Sequence, residues 1–164
     1  MTDSTRPYRD LLAYHLGETR RWHAWLADRP AALAARIGEG RLASVLDIAA
    51  HVTIVDLRYA QRLRGMTVAS FDALADAPWA ELGAQADRAG ALLDDWLARA
   101  TPADLDRELT FQTLTAGTLV ASARSVIMHA LVHGTRHWAQ MATCLRQQGL
   151  RQDWRHDYLI HHPR

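Results

Sequence analysis

The 164-residue sequence contains no lysine, and all nineteen of its basic side chains are arginine. That absence excludes any mechanism built on a lysine Schiff base. The only cysteine, Cys144, excludes an internal disulfide and a structural zinc site made of thiolates. A dominant charge is also lacking, since nineteen basic against eighteen acidic residues leave a formal net charge of +1. The chain therefore has neither a basic field to hold nucleic acid nor an acidic solvating tail. No uninterrupted apolar run is long enough to span a bilayer. The polar segment Met1–Pro7 lacks the apolar core of a signal peptide. The expectation is a soluble, cytoplasmic protein that is not held by a membrane. Internal repeats and low-complexity linkers are missing too, so residues 1–164 read as a single domain. What is plentiful is apolar material: 49% of the residues, enough to fill one sizeable core.

Four long helical patterns follow. Over 8–28, Tyr8, Leu12, His15, Thr19, Trp22 and Leu26 recur at spacings of three and four, and Pro30 ends the pattern. Over 42–64 the same alternation runs through Val45, Ile48, Val52, Val55, Tyr59 and Leu63, with Gly65 placed to cap it. Over 78–100, Pro78 suits a first turn, Leu82, Ala89, Leu93, Trp96 and Leu97 follow, and Thr101-Pro102 closes the segment. The fourth runs from about Ser122 to Gln148, with Gly149 as its stop. Between the third and fourth the period changes. Leu109–Leu114 is rich in β-branched and aromatic residues, Ala116-Gly117 can turn, and Thr118–Val120 can return as a second strand. The expected fold is all-α, a four-helix bundle with a short β-hairpin insert between helices 3 and 4. The tail 150–164, carrying Trp154, Tyr158 and Leu159, is expected to pack on the bundle.

Nine histidines are present, and four stand out by placement: His51, His129, His133 and His137. On the fourth helix the stripe Val126, Ala130, His133, His137, Gln140, Cys144 occupies one face, and its apolar members predict that it points inward. Histidines at i and i+4 stand about 6 Å apart along the axis, close enough for two imidazoles to converge on one ion. A third ligand must come from another helix, and His51, flanked by Ile48 and Val55, is the best placed. Three neutral imidazoles with an open position form a catalytic type of coordination rather than a closed structural one. The alternative is a set of packed, hydrogen-bonded core histidines, and one i,i+4 pair among nine histidines arises readily by chance. His129 has the same spacing to His133 as His133 has to His137. Eight residues of helix span about 12 Å, so all three cannot share one ion.

The run His129-Ala-Leu-Val-His133-Gly-Thr-Arg-His137-Trp-Ala-Gln140, continuing to Leu145-Arg146 and Gly149, resembles the signature of the DinB/YfiT-like family of damage-inducible bundle proteins, which are not the DNA polymerase of the same name. The family pattern reads approximately His-x-x-x-His-Gly-Thr-x-His-Arg-Gly-Gln. His51–Asp56, then Arg62-Leu63-Arg64-Gly65, matches its second-helix segment, and Asp157-Tyr158-Leu159 resembles its ending. The resemblance implies a four-helix bundle whose histidines hold a divalent ion, commonly zinc or nickel. Carried over by position, the metal ligands are His51, His133 and His137, and His129 is a supporting residue. Trp138-Ala139 stands where the family has Arg-Gly, which removes any substrate contact made by that arginine.

Such an ion can activate water for hydrolysis or bind and deprotonate a thiol. Metalloproteases of the H-E-x-x-H type place a glutamate base beside the first ligand, whereas His133 is followed by Gly134. Asp56 lies about 140° round the helix from His51 and is expected to face away. Asp47 reads as a solvated acid with an outer-shell role as the alternative. With no evident carboxylate base, transfer of a low-molecular-weight thiol to a small-molecule electrophile, in stress detoxification, is the favoured expectation. A metal-dependent hydrolase and a non-catalytic metal-binding stress protein are the alternatives. Arg58, Arg62 and Arg136 are candidates for holding carboxylates. Gln140 is a candidate for touching a bound water or for packing as a polar bundle residue, His15 for a fourth ligand or an outer-shell group with a core position favoured, and Cys144 for a buried filler. Trp22, Trp25, Trp96 and Trp138 read as core or interface anchors, and a homodimer is expected.

Overall fold

The computed structural model describes residues 3–114 and 116–161. Helix α1 (Arg6–Ala27) has Pro7 in its first turn, where the missing N–H costs nothing. Its buried stripe, Leu12, His15, Thr19, Trp22 and Leu26, keeps the three-and-four alternation. The short helix α2 (Pro30–Leu33) and a 3-10 turn at Gly40–Leu42 lead into α3 (Val45–Leu63). The start of α3 is fixed by a reciprocal cap. Ser44 Oγ accepts from the Asp47 N–H at 3.1 Å, and Asp47 Oδ2 accepts from the Ser44 N–H at 2.9 Å. This gives Asp47 a role at the helix terminus that neither sequence reading of that residue named. Past the end of α3, Gly65 adopts φ +65°, a left-handed conformation that glycine takes without strain.

Helix α4 (Trp79–Arg99) begins after Pro78, and α5 (Pro102–Asp106) is capped by Thr101. Strands β1 (Glu108–Gln112) and β2 (Thr118–Ser122) pair antiparallel, with Leu109 opposite Ala121 and Phe111 opposite Leu119. Ser122 then caps α6 (Ala123–Gln147), and a short α7 (Tyr158–His161) follows. The chain is thus mostly helical with one small antiparallel sheet, in the segments where the pattern changes from a period near 3.6 to a period of two. Helices α1 and α3 each pack against both α4 and α6. Among the described residues no helix is long and apolar enough to cross a membrane.

Between α1, α3, α4 and α6 the apolar side chains form two main clusters. Trp22, Leu26, Ile48, Val52, Trp138 and Met141 lie in one. Leu12, Leu63, Leu93, Leu97, Ile127 and Leu131 lie in the other, with Leu109 and Phe111 of the sheet packed against it. Each fully buried large side chain contributes about 1.5–3 kcal/mol of transfer free energy.

Two expectations about faces are corrected. The buried stripe of α6 runs through Ile127, Ala130, Gly134, Trp138, Met141 and Leu145, so Gln140 is exposed and Cys144 only half-buried. At about 100° per residue Val126 and Cys144 lie at the same angle, so the predicted stripe does not drift; it runs along one flank of the buried face, about 80° from its centre. In the tail, Trp154 packs edge-on against Trp22 at 5.0 Å and Tyr158 against Tyr14 at 5.4 Å. Leu159, by contrast, is 87% exposed. The last three residues of the predicted tail lie outside the described residues.

Candidate metal centre

Helix α3 presents His51 and α6 presents His133 and His137 to the same point. One nitrogen from each ring can be chosen so that all three lie within 4.8 Å of one another. The rings are separated by 4.9 Å (His51 to His133), 5.1 Å (His51 to His137) and 4.5 Å (His133 to His137). His51 Nε2 and His133 Nε2 stand 3.0 Å apart. Nitrogens bound to one tetrahedral zinc at its usual bond length would be separated by about 3.3 Å.

Electrostatics keep these rings neutral. Burial lowers the pKa of His51 to about 4, helped by the charges of His137, Arg136 and Arg41. Burial, then the charges of His137, His51, His129 and Arg136, lowers that of His133 to about 3. His137 is also lowered, chiefly by burial, with a hydrogen bond to Gln140 opposing the shift. Neutral imidazole offers a lone pair to a metal, whereas imidazolium does not. The contact between His137 Nδ1 and Gln140 Oε1, at 3.1 Å, selects the tautomer: Nδ1–H donates to the amide oxygen and Nε2 carries the lone pair. Without a cation, that lone pair meets Arg136 Nη2 at 3.3 Å. Inside the protein the His133 Nδ1 atom is buried without a partner. The donor set is therefore compatible with one divalent cation.

The residues singled out by sequence separate into distinct places. His129 stands beside the cluster, 5.6 Å from the His133 ring and 5.4 Å from Tyr59. His15 and Asp56 are elsewhere, paired to each other with His15 Nε2 2.6 Å from Asp56 Oδ2. This pair puts His15 in the core and leaves Asp56 facing away from His51, as its helical angle predicts. Cys144 is in weak contact with the carbonyl of Ile37 and takes no part in the cluster. Arg58, Arg62 and Arg136 line a cleft of about 340 Å³ that opens over His51 and His133.

Sequence reasoning missed the cleft's aromatic walls. Phe71 belongs to the irregular segment before α4, where no periodicity marks it, and its ring lies 5.7 Å from that of His51. Phe111 of β1 and Tyr59 of α3 form the far wall, 6.0 Å apart. Tyr59 was legible, two turns past His51 on the same flank. Phe111 was readable only as a strand residue.

Compared with family models, residues 1–162 match the DinB family. The chain belongs to the DinB family. No curated protein matches it. In this DinB protein the Trp138 that departs from the family signature is a core residue: it is buried and stacks on Trp22 at 6.2 Å. The substitution thus exchanges a polar position for packing and leaves the three histidines where they converge.

Proposed function

We propose that this protein is a single-domain four-helix bundle, with its hairpin inserted before the last long helix. On this reading it is an enzyme using a divalent metal, zinc or nickel, held by His51, His133 and His137. The reaction favoured is transfer of a low-molecular-weight thiol to an electrophilic small molecule. The observation that carries this reading is three neutral imidazoles meeting at one point, two of them, His51 and His133, lining a cleft whose described lining includes no aspartate or glutamate. A hydrolase mechanism ordinarily needs a positioned general base to activate water, and that cleft offers no carboxylate for it.

A bound divalent cation supplies Lewis acidity to the thiol or water that reaches its open side. The chain's own residues do the rest. Burial keeps the three rings neutral, Gln140 fixes the tautomer of His137, and Phe71 shields His51 on one side. The half-buried aromatic walls narrow access to a small molecule. The hydrogen bond between Arg136 and His137 marks the guanidinium that must give way when the Nε2 lone pair is taken up.

The test is metal analysis of the purified protein followed by turnover measurements with a panel of small thiols and electrophiles. One metal per chain and thiol-dependent turnover is the expected result. Thiol-independent turnover would assign a hydrolase, and stoichiometric metal without turnover a binding protein. Absence of stoichiometric metal would remove the centre altogether. A homodimer, expected from the tryptophan content, is checked by sedimentation.

A further inference from the structure

The cleft above the three histidines has a second chemical character at its other end. Along α3, His51, Val55, Arg58 and Arg62 are spaced by four, three and four residues, so all four share one flank and all line the cleft. From His51 to Arg62 the helix rises about 16 Å. Arg136 joins from α6. Two of the three guanidiniums are built into the walls, while Arg136 is exposed at the rim. Arg58 lies over Phe71 at 5.3 Å, the same ring that faces His51. Arg62 lies over Phe111 at 4.8 Å and over Tyr59 at 5.3 Å. Stacking on aromatic faces holds a guanidinium in orientation and leaves its N–H edge free to bind an oxyanion in two places.

None of the three has a carboxylate partner among the described residues. Their polar contacts are the carbonyl of Ala69 for Arg58, that of Gln112 for Arg62 at 3.5 Å, and the His137 ring for Arg136. The pattern differs elsewhere: Arg64 and Arg99 share Asp95, Arg21 meets Glu18, and Arg41 meets Asp72. Burial, with the charge of Arg58, pushes the Arg62 pKa down. Three like charges are gathered at a partly desolvated cleft with no carboxylate among the described residues to neutralise them.

We propose that the cleft binds an elongated small molecule bearing at least two oxyanion groups, with its anionic end against Arg58 and Arg62 and its other end at the three histidines. The placement of the second end rests on the metal reading above; the anion end does not. Carboxylate and phosphate share the needed chemistry, and the two sources are separated by the probes.

The experiment is titration calorimetry of the full chain, with and without one equivalent of Zn²⁺, using propionate, propane-1,2,3-tricarboxylate and inorganic pyrophosphate. A polyanion is expected to bind at least about tenfold more tightly than propionate. A preference for the tricarboxylate assigns a carboxylate ligand, and a preference for pyrophosphate a phosphate one. Arg58→Gln and Arg62→Gln should each weaken the preferred polyanion about tenfold. Arg88→Gln, which removes the same charge from an exposed position on α4 outside the cleft, should change nothing. Zn²⁺ stoichiometry on the same variants reports that the fold is retained. Equal affinity for mono- and polyanions, or equal losses in all three variants, overturns the proposal even if zinc binds. Polyanion binding that responds to Arg58 and Arg62 in a chain that takes up no zinc upholds the anion end and defeats the metal reading instead.

Discussion

Two sets of buried or half-buried histidines lie within this chain, and their surroundings differ. His15 meets Asp56, and His156 meets the buried carboxylate of Glu18 at 2.6 Å. Around Glu18 the contacts continue, with Arg21 at 2.7 Å and the Trp154 indole at 3.4 Å. His51, His133 and His137 have no such partners; their polar neighbours are one another, Gln140 and Arg136. A histidine supplied with a carboxylate by its own chain is finished as a structural group. One whose nearest polar atoms are other lone pairs or a guanidinium is arranged for something the chain does not contain. The same residue type thus serves cohesion in one region and reception in the other, and burial alone does not tell them apart.

Substitution should split these roles cleanly. His133→Ala or His137→Ala is expected to abolish stoichiometric metal binding, a loss of well over a hundredfold in affinity, since even outer partners of a ligand are worth about 10–100-fold. Wild-type protein at metal concentrations about a hundred times the dissociation constant gains about 2.7 kcal/mol of stability, and these variants should gain none. His129→Ala should keep both the metal and the gain. Equal losses at 129, 133 and 137 would break the distinction between the ligands and their neighbour.

The opposite outcome belongs to the paired set. A Cβ at Gly134 would fall 2.1 Å from His15 Cε1 and 2.7 Å from its Nδ1, so α1 and α6 approach here only because residue 134 has no side chain. Gly134→Ala must displace the His15 ring from Asp56, combining overpacking with a buried group deprived of its partner. The expected cost is about 3 kcal/mol, read by urea unfolding. Because residue 134 directly follows a proposed ligand, His15→Ala is the cleaner comparison. It should destabilise the fold while leaving one metal per chain.

Much of this contrast was legible in the sequence, and the illegible part has a physical cause. Helical spacing located the four long helices and set His133 and His137 one turn apart, because both facts depend on residues three and four apart. The angle of Asp56 from His51 correctly turned it away. That His15 would be waiting for it, across 41 positions of chain, is a property of how α1 packs on its neighbours and leaves no local trace. The Glu18–His156 contact spans 138 positions and depends on a tail without periodicity. Phe71 escaped for the same reason. The error in the α6 stripe was one of angle: the three-and-four pattern keeps its direction along the helix but follows one flank of the buried face, the side that carries the histidines, rather than its centre.

Acid should distinguish the two regions further. Burial pushes the Glu18 carboxyl up, but the hydrogen bond and charge of His156, with Trp154 and Arg21, outweigh it and hold the pKa below the ordinary 4.5. A depressed carboxylate pKa contributes stability that is complete above the unfolded value and is lost as pH falls through the folded one. The tail should therefore loosen from α1 as pH falls below the ordinary carboxyl range, with a change in tryptophan fluorescence as Trp154 leaves Trp22. Glu18→Gln should weaken tail docking at neutral pH and remove this acid transition. A transition that persists in the variant would assign it to other groups.

The smallest effect sharpens the comparison at the boundary between the two kinds of histidine. Gln140 is exposed, yet its Oε1 accepts from a ring of the convergent set. If it acts by holding His137 Nδ1 protonated, Gln140→Ala frees the ring to change tautomer and rotate, and metal affinity should fall by about tenfold, the lower end for an outer partner. Gln140→Glu accepts the same proton and should restore affinity, whereas Gln140→Leu fills the space and should not. Thermal stability without metal should move by less than about 0.5 kcal/mol in all three, as for an exposed position. Rescue by Leu rather than Glu would mean that residue 140 supports His137 by packing, and the tautomer would then be set by the cation itself.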